Sequence, residues 1–302
     1  MKKIVFLAAI GVFPFIAQSQ IEVETETLDG NNTAITLSDG GVFLSNPYMP
    51  TYGYPTLDMY EPGFEFPKGS GKHVMNGLSM WFGGVDEFDE PRVSAPTITA
   101  YEDQFPGPLS NNSLTPYFGG FGSFYAVSKE EIDYHITNYQ NPNYIMPAAI
   151  ADWPAHGDPT IGMDFYLAPF VDTDGDGYYN PYWGDYPCIK GDEAVYMVMN
   201  DRQAQYACGG PRNHEGMGIE IHFMYYQFTA IPELANTTFC ETRVINRSSE
   251  NYQDFSASLY MNAGIGSSSD DFFGTDISRD MIYAYNGEET DQDYGCLSLI
   301  HI

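Results

Sequence analysis

An acidic stretch in the middle of the chain has the spacing of a calcium-binding loop. In VDTDGDGYYNPYWGDYP, residues 171–187, carboxylates stand at the first, third and fifth positions counted from Asp172, and Gly177 stands at the sixth. Calcium-binding loops use alternate oxygen ligands in this way, with a glycine where the chain turns sharply. The sequence therefore predicts a Ca²⁺ site. Its main predicted ligands are the carboxylates of Asp172, Asp174 and Asp176 and the carbonyl of Tyr178, and its secondary ones are Asn180 and Asp185.

The end of this loop departs from the EF-hand pattern. The twelfth position, which is usually acidic, is Trp183, so the closing carboxylate has to come from Asp185 or from a distant residue. The loop resembles calcium loops that lie outside true EF-hands and lack flanking helices. Calcium is favoured over two alternatives, a solvated acidic turn and a site for another metal. Because a bound ion stabilises the native state, the expected role of calcium is structural.

A second acidic cluster lies further along, in SSSDDFFGTDISRD at 267–280. Its acids either supply ligands to an ion or form a solvated turn beside Phe272 and Phe273, and the turn is the favoured interpretation. The four acids are Asp270, Asp271, Asp276 and Asp280.

The sequence does not indicate an enzyme. His214 and Glu215 lack the second histidine of a zinc-protease helix, no serine lies in a Gly-x-Ser-x-Gly elbow, and no glycine-rich phosphate loop precedes a helix. Pairs of carboxylates for glycoside hydrolysis are uninformative among 41 acids. Trp81, Trp153 and Trp183, with the many tyrosines, are compatible with a sugar-stacking surface, although an aromatic core explains them better.

The charge of the chain excludes two classes of partner. There are 41 acidic and 12 basic residues, and the formal net charge is −29. Nucleic acids and anionic lipid surfaces are bound through basic patches, so neither is an expected partner. The hydrophobic content of 43% is enough for a folded core, and 30 glycines with 20 prolines favour many short strands joined by turns.

The two ends of the sequence carry further expectations. Residues 1–19 combine two lysines, an apolar run and Ala17-Gln18-Ser19, which is the pattern of a secretory signal peptide, and no other segment is a candidate membrane span. The protein is therefore expected to be secreted or held at the outer cell surface. The tail LSLIHI, 297–302, is expected to be a non-native read-through on a truncated gene, with further domains after Gly295.

One helix is predicted at about 128–141. Ser128 followed by Glu131 forms a capping box, and one face carries an apolar series at helical spacing. His135 lies on that face, so we expect it to be packed rather than to bind a ligand. The series comprises Ile132, His135, Ile136 and Tyr139.

The rest of the chain reads as strands of an antiparallel sheet. In the segment 218–229, Ile219, Ile221, Phe223 and Tyr225 alternate with a polar face that carries Glu220 and His222. The fold class predicted is mainly β, an antiparallel β-sandwich with long Pro/Gly-rich loops. A β-rich region at 20–150 precedes a calcium-loop and meander region at 151–296, or forms one compound domain with it. The predicted meander strands are 194–200, 218–229, 237–246, 254–262 and 281–285, after earlier strands at 21–28, 42–44, 78–82 and 92–101.

The cysteines leave the disulfide pattern open. Cys188, Cys208 and Cys240 are an odd number, and Cys296 lies next to the suspected tail. In an exported protein two of them are expected to pair, and Cys188 with Cys208 is the favoured pair.

Several blocks of the sequence resemble a known family. They match in the same order over most of residues 60–295, and the block around the calcium-like loop is the most specific. The blocks are FPKGSGKHVMNGLSMWFGGVD (66–86), QFPGPL (104–109), LAPFVDTDGDGYYNPYWGDYPCIKGDEAVYMVMND (167–201), GIEIHFMYYQF (218–228), TRVINRSS (242–249) and DDFFGTD with DMIYAYNG (270–287).

These blocks resemble large secreted Bacteroidota proteins that are commonly exported by the type IX system and end in a C-terminal sorting domain. The resemblance implies a route of export and no particular reaction. It also implies that this fragment lacks the sorting domain through which the type IX secretion machinery is engaged.

Together these observations predict a secreted, calcium-stabilised β module that acts as a structural or adhesive part of a larger protein. Its expected partner is an extracellular glycan or protein surface. The alternative is an exported glycan-binding or glycan-hydrolysing protein, because the chain is rich in aromatic and acidic residues.

Overall fold

Two antiparallel β-sheets form the framework of the protein. The computed structural model describes residues 24–47, 60–97, 103–110, 122–202, 206–207, 210–211, 216–267 and 270–296. The predicted signal peptide and the predicted tail lie outside these ranges, and so do Cys208, His214 and Glu215.

Strands, two α-helices and several 3₁₀ turns make up the described secondary structure. The helices are α1 (Lys129–Asn138) and α2 (Ala148–Ala151). The strands are β1 (Thr25–Leu28), β2 (Ala34–Ser38), β3 (Ser45–Pro47), β4 (Tyr60–Pro62), β5 (Phe64–Glu65), β6 (His73–Val85), β7 (Pro91–Ser94), β8 (Phe105–Pro106), β9 (Tyr125–Ser128), β10 (Phe170–Val171), β11 (Tyr186–Pro187), β12 (Glu193–Asn200), β13 (Tyr206–Ala207), β14 (Gly210–Pro211), β15 (Ile219–Gln227), β16 (Thr238–Asn246), β17 (Gln253–Ala263), β18 (Asp271–Asp276), β19 (Met281–Asn286), β20 (Thr290–Asp291) and β21 (Gly295–Cys296).

The first sheet has six strands in the order β1-β2-β5-β6-β17, with β7 also paired to β6. The second sheet has five strands in the order β16-β15-β12-β8, with β9 also paired to β12. Strands from before and after residue 150 therefore share both sheets. The predicted fold class, a mainly β antiparallel sandwich-like fold, is confirmed.

The main core lies between the inner faces of the two sheets. Phe43 meets Phe223 edge to face, with ring centroids 4.9 Å apart. The alternation predicted for β15 is confirmed, because Ile219, Ile221, Phe223 and Tyr225 all belong to this core. Burial of these apolar side chains is the main term that holds the two sheets together. The other buried members are Leu28, Ile35, Leu37, Phe43, Leu44, Met75, Phe82, Val195, Met197, Met199 and Met217.

A third layer covers the outer face of the second sheet. Here α1, α2 and the segment that follows them pack on residues of β12 and β15, and Ile150 is fully buried. Trp153 lies against Tyr196, with ring centroids 5.6 Å apart. The face of β15 that looked polar in the sequence is therefore covered by protein, and both Glu220 and His222 are buried.

The predicted helix is confirmed as α1, with its capping box. The amide of Glu131 donates to Ser128 Oγ (3.2 Å), and the amide of Ser128 donates to Glu131 Oε2 (2.9 Å). His135 is fully buried, as expected, and its Nδ1 lies 2.7 Å from the Tyr144 hydroxyl. The buried face of α1 is narrower than predicted, since Ile136, which was expected to lie on it, is 41% exposed.

The predicted meander is wrong after its third strand. β12, β15 and β16 are consecutive neighbours, but β17 crosses to the first sheet and pairs with β6. The hairpin β18–β19 then forms a separate two-stranded sheet. The segment 247–252 makes this crossing, and the alternation of apolar residues, on which the prediction depended, does not determine which sheet a strand joins.

Three earlier strands also differ in extent from their predictions. Of the strand expected at 92–101, β7 ends at Ser94 and residues 98–101 lie outside the described ranges. The strand expected at 42–44 is reduced to a single bridge between Phe43 and Leu78. The strand expected at 78–82 is the central part of the longer β6.

The favoured disulfide involves Cys208, which lies outside the described ranges. Cys188 and Cys240 are both free thiols. None of the helices in the described ranges is long and apolar enough to cross a bilayer.

Candidate metal centre

The predicted calcium loop connects the two strands of a small hairpin. β10 and β11 pair antiparallel, with Phe170 opposite Pro187 and Val171 opposite Tyr186. Between them, carboxylate oxygens of Asp172, Asp174 and Asp176 all lie within 4.8 Å of one another. Asp172 is partly buried and the other two are exposed. The structure thus brings together the three residues on which the sequence prediction mainly depends.

Hydrogen bonds within the loop fix the carboxylate of Asp172. Its Oδ1 accepts from the amide of Gly175 (2.7 Å), and its Oδ2 accepts from the amide of Gly177 (2.8 Å). Both glycines have positive φ, +77° and +82°, a conformation that L-residues with a Cβ rarely adopt. The two glycines therefore wrap the backbone around the first carboxylate.

The electrostatic state of the carboxylates differs along the loop. The hydrogen bond from the amide of Gly177 lowers the pKa of Asp172 most, and the amides of Gly175 and Asp176 lower it further. Together they hold this pKa below its ordinary value. Desolvation raises the pKa of Asp174, and the charges of Asp176, Asp185 and Asp172 raise it further. A cation among these oxygens would relieve that repulsion.

Asp185 has a different position from the one expected of a closing ligand. Its side chain is fully buried. Its Oδ1 accepts from the amide (2.8 Å) and hydroxyl (2.7 Å) of Thr173, and its Oδ2 accepts from the amide of Asn180 (2.8 Å). Asp185 is not among the three grouped carboxylates, and these bonds make it a clamp that ties the two ends of the loop together.

The other secondary residues lie at the end of the loop. Asn180 Oδ1 accepts from the amide of Tyr182 (3.2 Å) and so caps the 3₁₀ turn Pro181–Trp183. Tyr178 follows the carboxylates directly, and its amide donates to Asp176 Oδ1 (2.7 Å). These contacts continue the same series of side-chain to backbone turns.

His156 supports the loop from outside, and sequence reasoning missed it. Its Nε2 accepts from the amide of Tyr179 (2.7 Å), while its Nδ1 lies 3.1 Å from the carbonyl oxygen of Phe165. This pair of contacts requires the neutral tautomer with the proton on Nδ1. The ring also stacks on Phe165, with centroids 4.1 Å apart. The sequence around His156 contains no pattern that predicts this contact, because the contact joins residues 23 positions apart.

Exposed aromatic side chains surround the loop and form what we call the aromatic rim, which consists of Tyr166, Tyr178, Tyr182 and Trp183. Each of these side chains is more than half exposed, and Trp183 is 65% exposed. A Cβ placed on Gly177 would lie 3.0 Å from the Tyr166 hydroxyl, so this tyrosine lies over the loop.

The other two tryptophans are less exposed than Trp183. Trp153 is buried and its Nε1 donates to the carbonyl of Pro169 (3.0 Å). Trp81 is partly buried, stacks on Tyr260 and donates to Pro96 O (2.8 Å).

The second acidic cluster differs from the solvated turn that was favoured, because Asp271–Asp276 form strand β18 and both Asp270 and Asp271 are partly buried. Asp276 caps the 3₁₀ turn Ile277–Arg279 and forms an ion pair with Arg279. Asp271 Oδ2 accepts from the amide of Ile265 (2.7 Å). Within the described ranges, the only group of three or more acidic, histidine or cysteine residues with metal-ligand spacing is that of the calcium-like loop.

A buried polar chain crosses the outer face of the second sheet. His222 Nε2 donates to Glu220 Oε1 (2.9 Å), and the Tyr196 hydroxyl lies 2.6 Å from His222 Nδ1. Arg247 donates to Glu220 (3.0 Å) and also pairs with Asp164. Burial acts to raise the pKa of Glu220, but the bonds from His222 and Arg247 outweigh it and lower the pKa. This arrangement keeps Glu220 ionised in the interior.

No family model matches the chain, and no curated protein or solved structure is similar to it.

Proposed function

We propose that the protein is a secreted or cell-surface β module, stabilised by Ca²⁺, that acts as a structural or adhesive part of a larger protein. Export by the type IX system is part of this proposal and is supported by the sequence blocks that resemble that secreted group. The cation would be held by Asp172, Asp174 and Asp176, and oxygens from Tyr178 and Asn180 would complete the site.

One observation carries the proposal. Three carboxylates approach within 4.8 Å of one another in a chain that already has a formal net charge of −29. Like charges at this separation repel, and a divalent cation removes the repulsion. Oxygen ligands of this kind are the ones that Ca²⁺ prefers.

The site would act on stability rather than on a reaction. The loop joins β10 to β11, and β11 leads through a short connection into β12 at the centre of the second sheet. A ligand that binds only the folded chain stabilises it by about 2.7 kcal/mol when its free concentration is about 100 times its dissociation constant. This is a substantial part of the roughly 5–15 kcal/mol that stabilises a typical domain.

The proposal is tested by comparing melting temperatures in millimolar CaCl₂ and in chelator. We expect a higher melting temperature in calcium, and we expect Asp174→Asn to abolish the difference. Glu288→Gln is the matched control, because this exposed glutamate also loses one negative charge but lies far along the chain from the loop. Equal melting temperatures of the unmodified chain in calcium and in chelator would refute the proposal.

The aromatic rim favours a second candidate, an extracellular glycan-binding protein. Flat aromatic faces stack on the apolar faces of sugar rings, and Trp183 is the tryptophan that the structure leaves most exposed to do so. A panel of polysaccharides in affinity gels tests this candidate. Retardation that is lost in Trp183→Ala but kept in Phe88→Ala, another exposed aromatic, would favour glycan binding. Release of reducing sugar would indicate a hydrolase instead.

A further inference from the structure

In the part of the chain that the structure describes, each sheet of the sandwich ends in an edge strand that is left unpaired on one side. β16 pairs with β15, and β17 pairs with β6, and among the described strands neither has a second neighbour. The connection between them is only the segment 247–252, so the end of β16 lies near the start of β17. An edge strand presents a row of backbone N–H and C=O groups that another strand can pair with.

The inner face of β17 is apolar and only half covered. Leu259 stands opposite Met80 in the pairing with β6, and Phe255 stacks on the core residue Phe82 with centroids 6.3 Å apart. Phe255 and Leu259 are nevertheless 45% and 48% exposed. Side chains that point between two sheets are normally buried, so the core is incomplete at this edge.

The edge strand of the second sheet, β16, shows the same incompleteness. Cys240, Thr242 and Val244 stand opposite the core residues Tyr225, Phe223 and Ile221. Cys240 is exposed, and the other two are only partly buried. We call the incompletely covered inner faces of β16 and β17 at these positions the open side.

β17 also lacks the features that usually protect an edge strand. From Phe255 to Ala263 the sequence is FSASLYMNA, with no charged residue, proline or glycine. Irregular register occurs only at its two ends, between Gln253 and Ser256 and between Asn262 and Ala263. The strand between these points is regular and free to pair.

Charge and backbone geometry together define the occupant. A row of alternating amide and carbonyl groups is complementary to an extended polypeptide. The acid Asp254 stands at the start of β17, and Asp271 is bonded to Ile265, just beyond its end. A second copy of this chain would bring a further formal charge of −29 to the same place, which disfavours self-association.

We propose that an extended segment of a different polypeptide, with apolar residues at alternate positions and basic residues at its ends, adds to β17 as a strand and covers the open side. This would supply the adhesive contact of the function proposed above. The open side lies on β16 and β17, whereas the calcium loop connects β10 to β11. Either proposal can therefore fail while the other stands.

The probe is a fluorescein-labelled peptide, KVTVTVTVK, whose valines would cover the open side. Fluorescence anisotropy measures its affinity, and hydrogen–deuterium exchange locates it. We expect slower exchange of backbone amides in 253–263 when the probe binds. The control peptides are EVTVTVTVE, which reverses the charge of the ends, and KVTVPVTVK, whose proline interrupts strand pairing. Both should bind at least about tenfold more weakly.

Two variants of neighbouring residues separate the inner face from the outer one. Leu259→Gln should weaken probe binding about tenfold, because it removes an apolar side chain of the open side. Ser258→Gln lies on the other face of the same strand, opposite Trp81, and should leave affinity within about twofold. Circular dichroism and melting curves check that both variants fold.

Three results would overturn the proposal. These are exchange in 253–263 that the probe does not slow, equal effects of the two variants, and a dimer in sedimentation that protects β17 without any probe. The last result would assign the open side to a second copy of the chain.

Discussion

Asp185 and Thr173 hold the acidic loop closed through two hydrogen bonds to one carboxylate oxygen. The amide and the hydroxyl of Thr173 donate to Asp185 Oδ1 at 2.8 and 2.7 Å. Because the other oxygen accepts from the amide of Asn180, the buried carboxylate fastens both ends of the loop at once. The three grouped carboxylates are therefore positioned by an acid that is not one of them.

Replacing this clamp should destabilise the protein whether or not calcium is present. Asp185→Ala leaves the amides of Thr173 and Asn180 without their acceptor in a buried position, and we expect a loss of about 2–4 kcal/mol in unfolding free energy. Urea unfolding in calcium and in chelator measures it. Asp174→Asn is the contrasting variant and should lose stability only in calcium. A loss for Asp185→Ala confined to calcium would instead make Asp185 a ligand.

The buried polar chain should be sensitive to loss of its central acid. Glu220 accepts from Arg247 (3.0 Å), His222 (2.9 Å) and the amide of Leu109 (2.9 Å). Glu220→Ala leaves the buried amide of Leu109 and the ring of His222 without their acceptor, while the partly exposed Arg247 keeps Asp164, and the expected loss is about 2–4 kcal/mol in urea unfolding. Asp164, the partly exposed second partner of Arg247, is the control, because Asp164→Ala should cost about 1 kcal/mol or less. Similar losses of unfolding free energy in the two variants would show that the burial of Glu220 does not increase its contribution to stability.

The pH dependence of stability should report on Asp201. Burial raises the pKa of this carboxyl to about 6 from an ordinary value of 3.8, although the amides of Ile219 and Met217 donate to it and partly oppose the shift. The stability that Asp201 contributes is therefore fully present below about pH 4 and is lost as the pH rises to about 6.

The measurement is the difference in unfolding free energy between the unmodified chain and Asp201→Asn, by urea, from pH 4 to pH 7. At about 1.4 kcal/mol per pKa unit, the unmodified chain should lose about 2–3 kcal/mol relative to the variant over this range. In Asp201→Asn one of the two side-chain oxygens that accept from the amides of Met217 and Ile219 is replaced by nitrogen. This lowers the unfolding free energy of the variant by an amount that does not change with pH. A difference that stays flat between pH 4 and pH 6 would mean that Asp201 is not shifted.

Local sequence patterns predicted elements whose signals are contained within a few residues. The capping box of Ser128 and Glu131 marks the start of α1, since both bonds join residues three apart. The alternation in 218–229 gives β15 and its core face directly. The carboxylate spacing likewise gives the geometry of the loop, because Gly175 and Gly177 turn the backbone around Asp172.

These local patterns did not predict which strands pair with each other, or that a third layer covers the second sheet. Alternation shows that 254–262 is a strand, but it is the same for either sheet, and pairing with β6 joins residues far apart in the chain. The polar face of β15 gave no sign that Arg247 and Asp164 would cover Glu220. The clamp role of Asp185 also depends on the pairing of β10 with β11, which brings it next to Thr173.

Calcium binding to the loop is measured most directly by isothermal titration of chelator-treated protein with CaCl₂. We expect a saturable site with a dissociation constant between about 1 µM and 1 mM. Asp174→Asn should weaken this site at least about tenfold, and Glu288→Gln should leave it unchanged. A titration that shows no binding at millimolar calcium, or a site that Asp174→Asn leaves intact, would contradict the account.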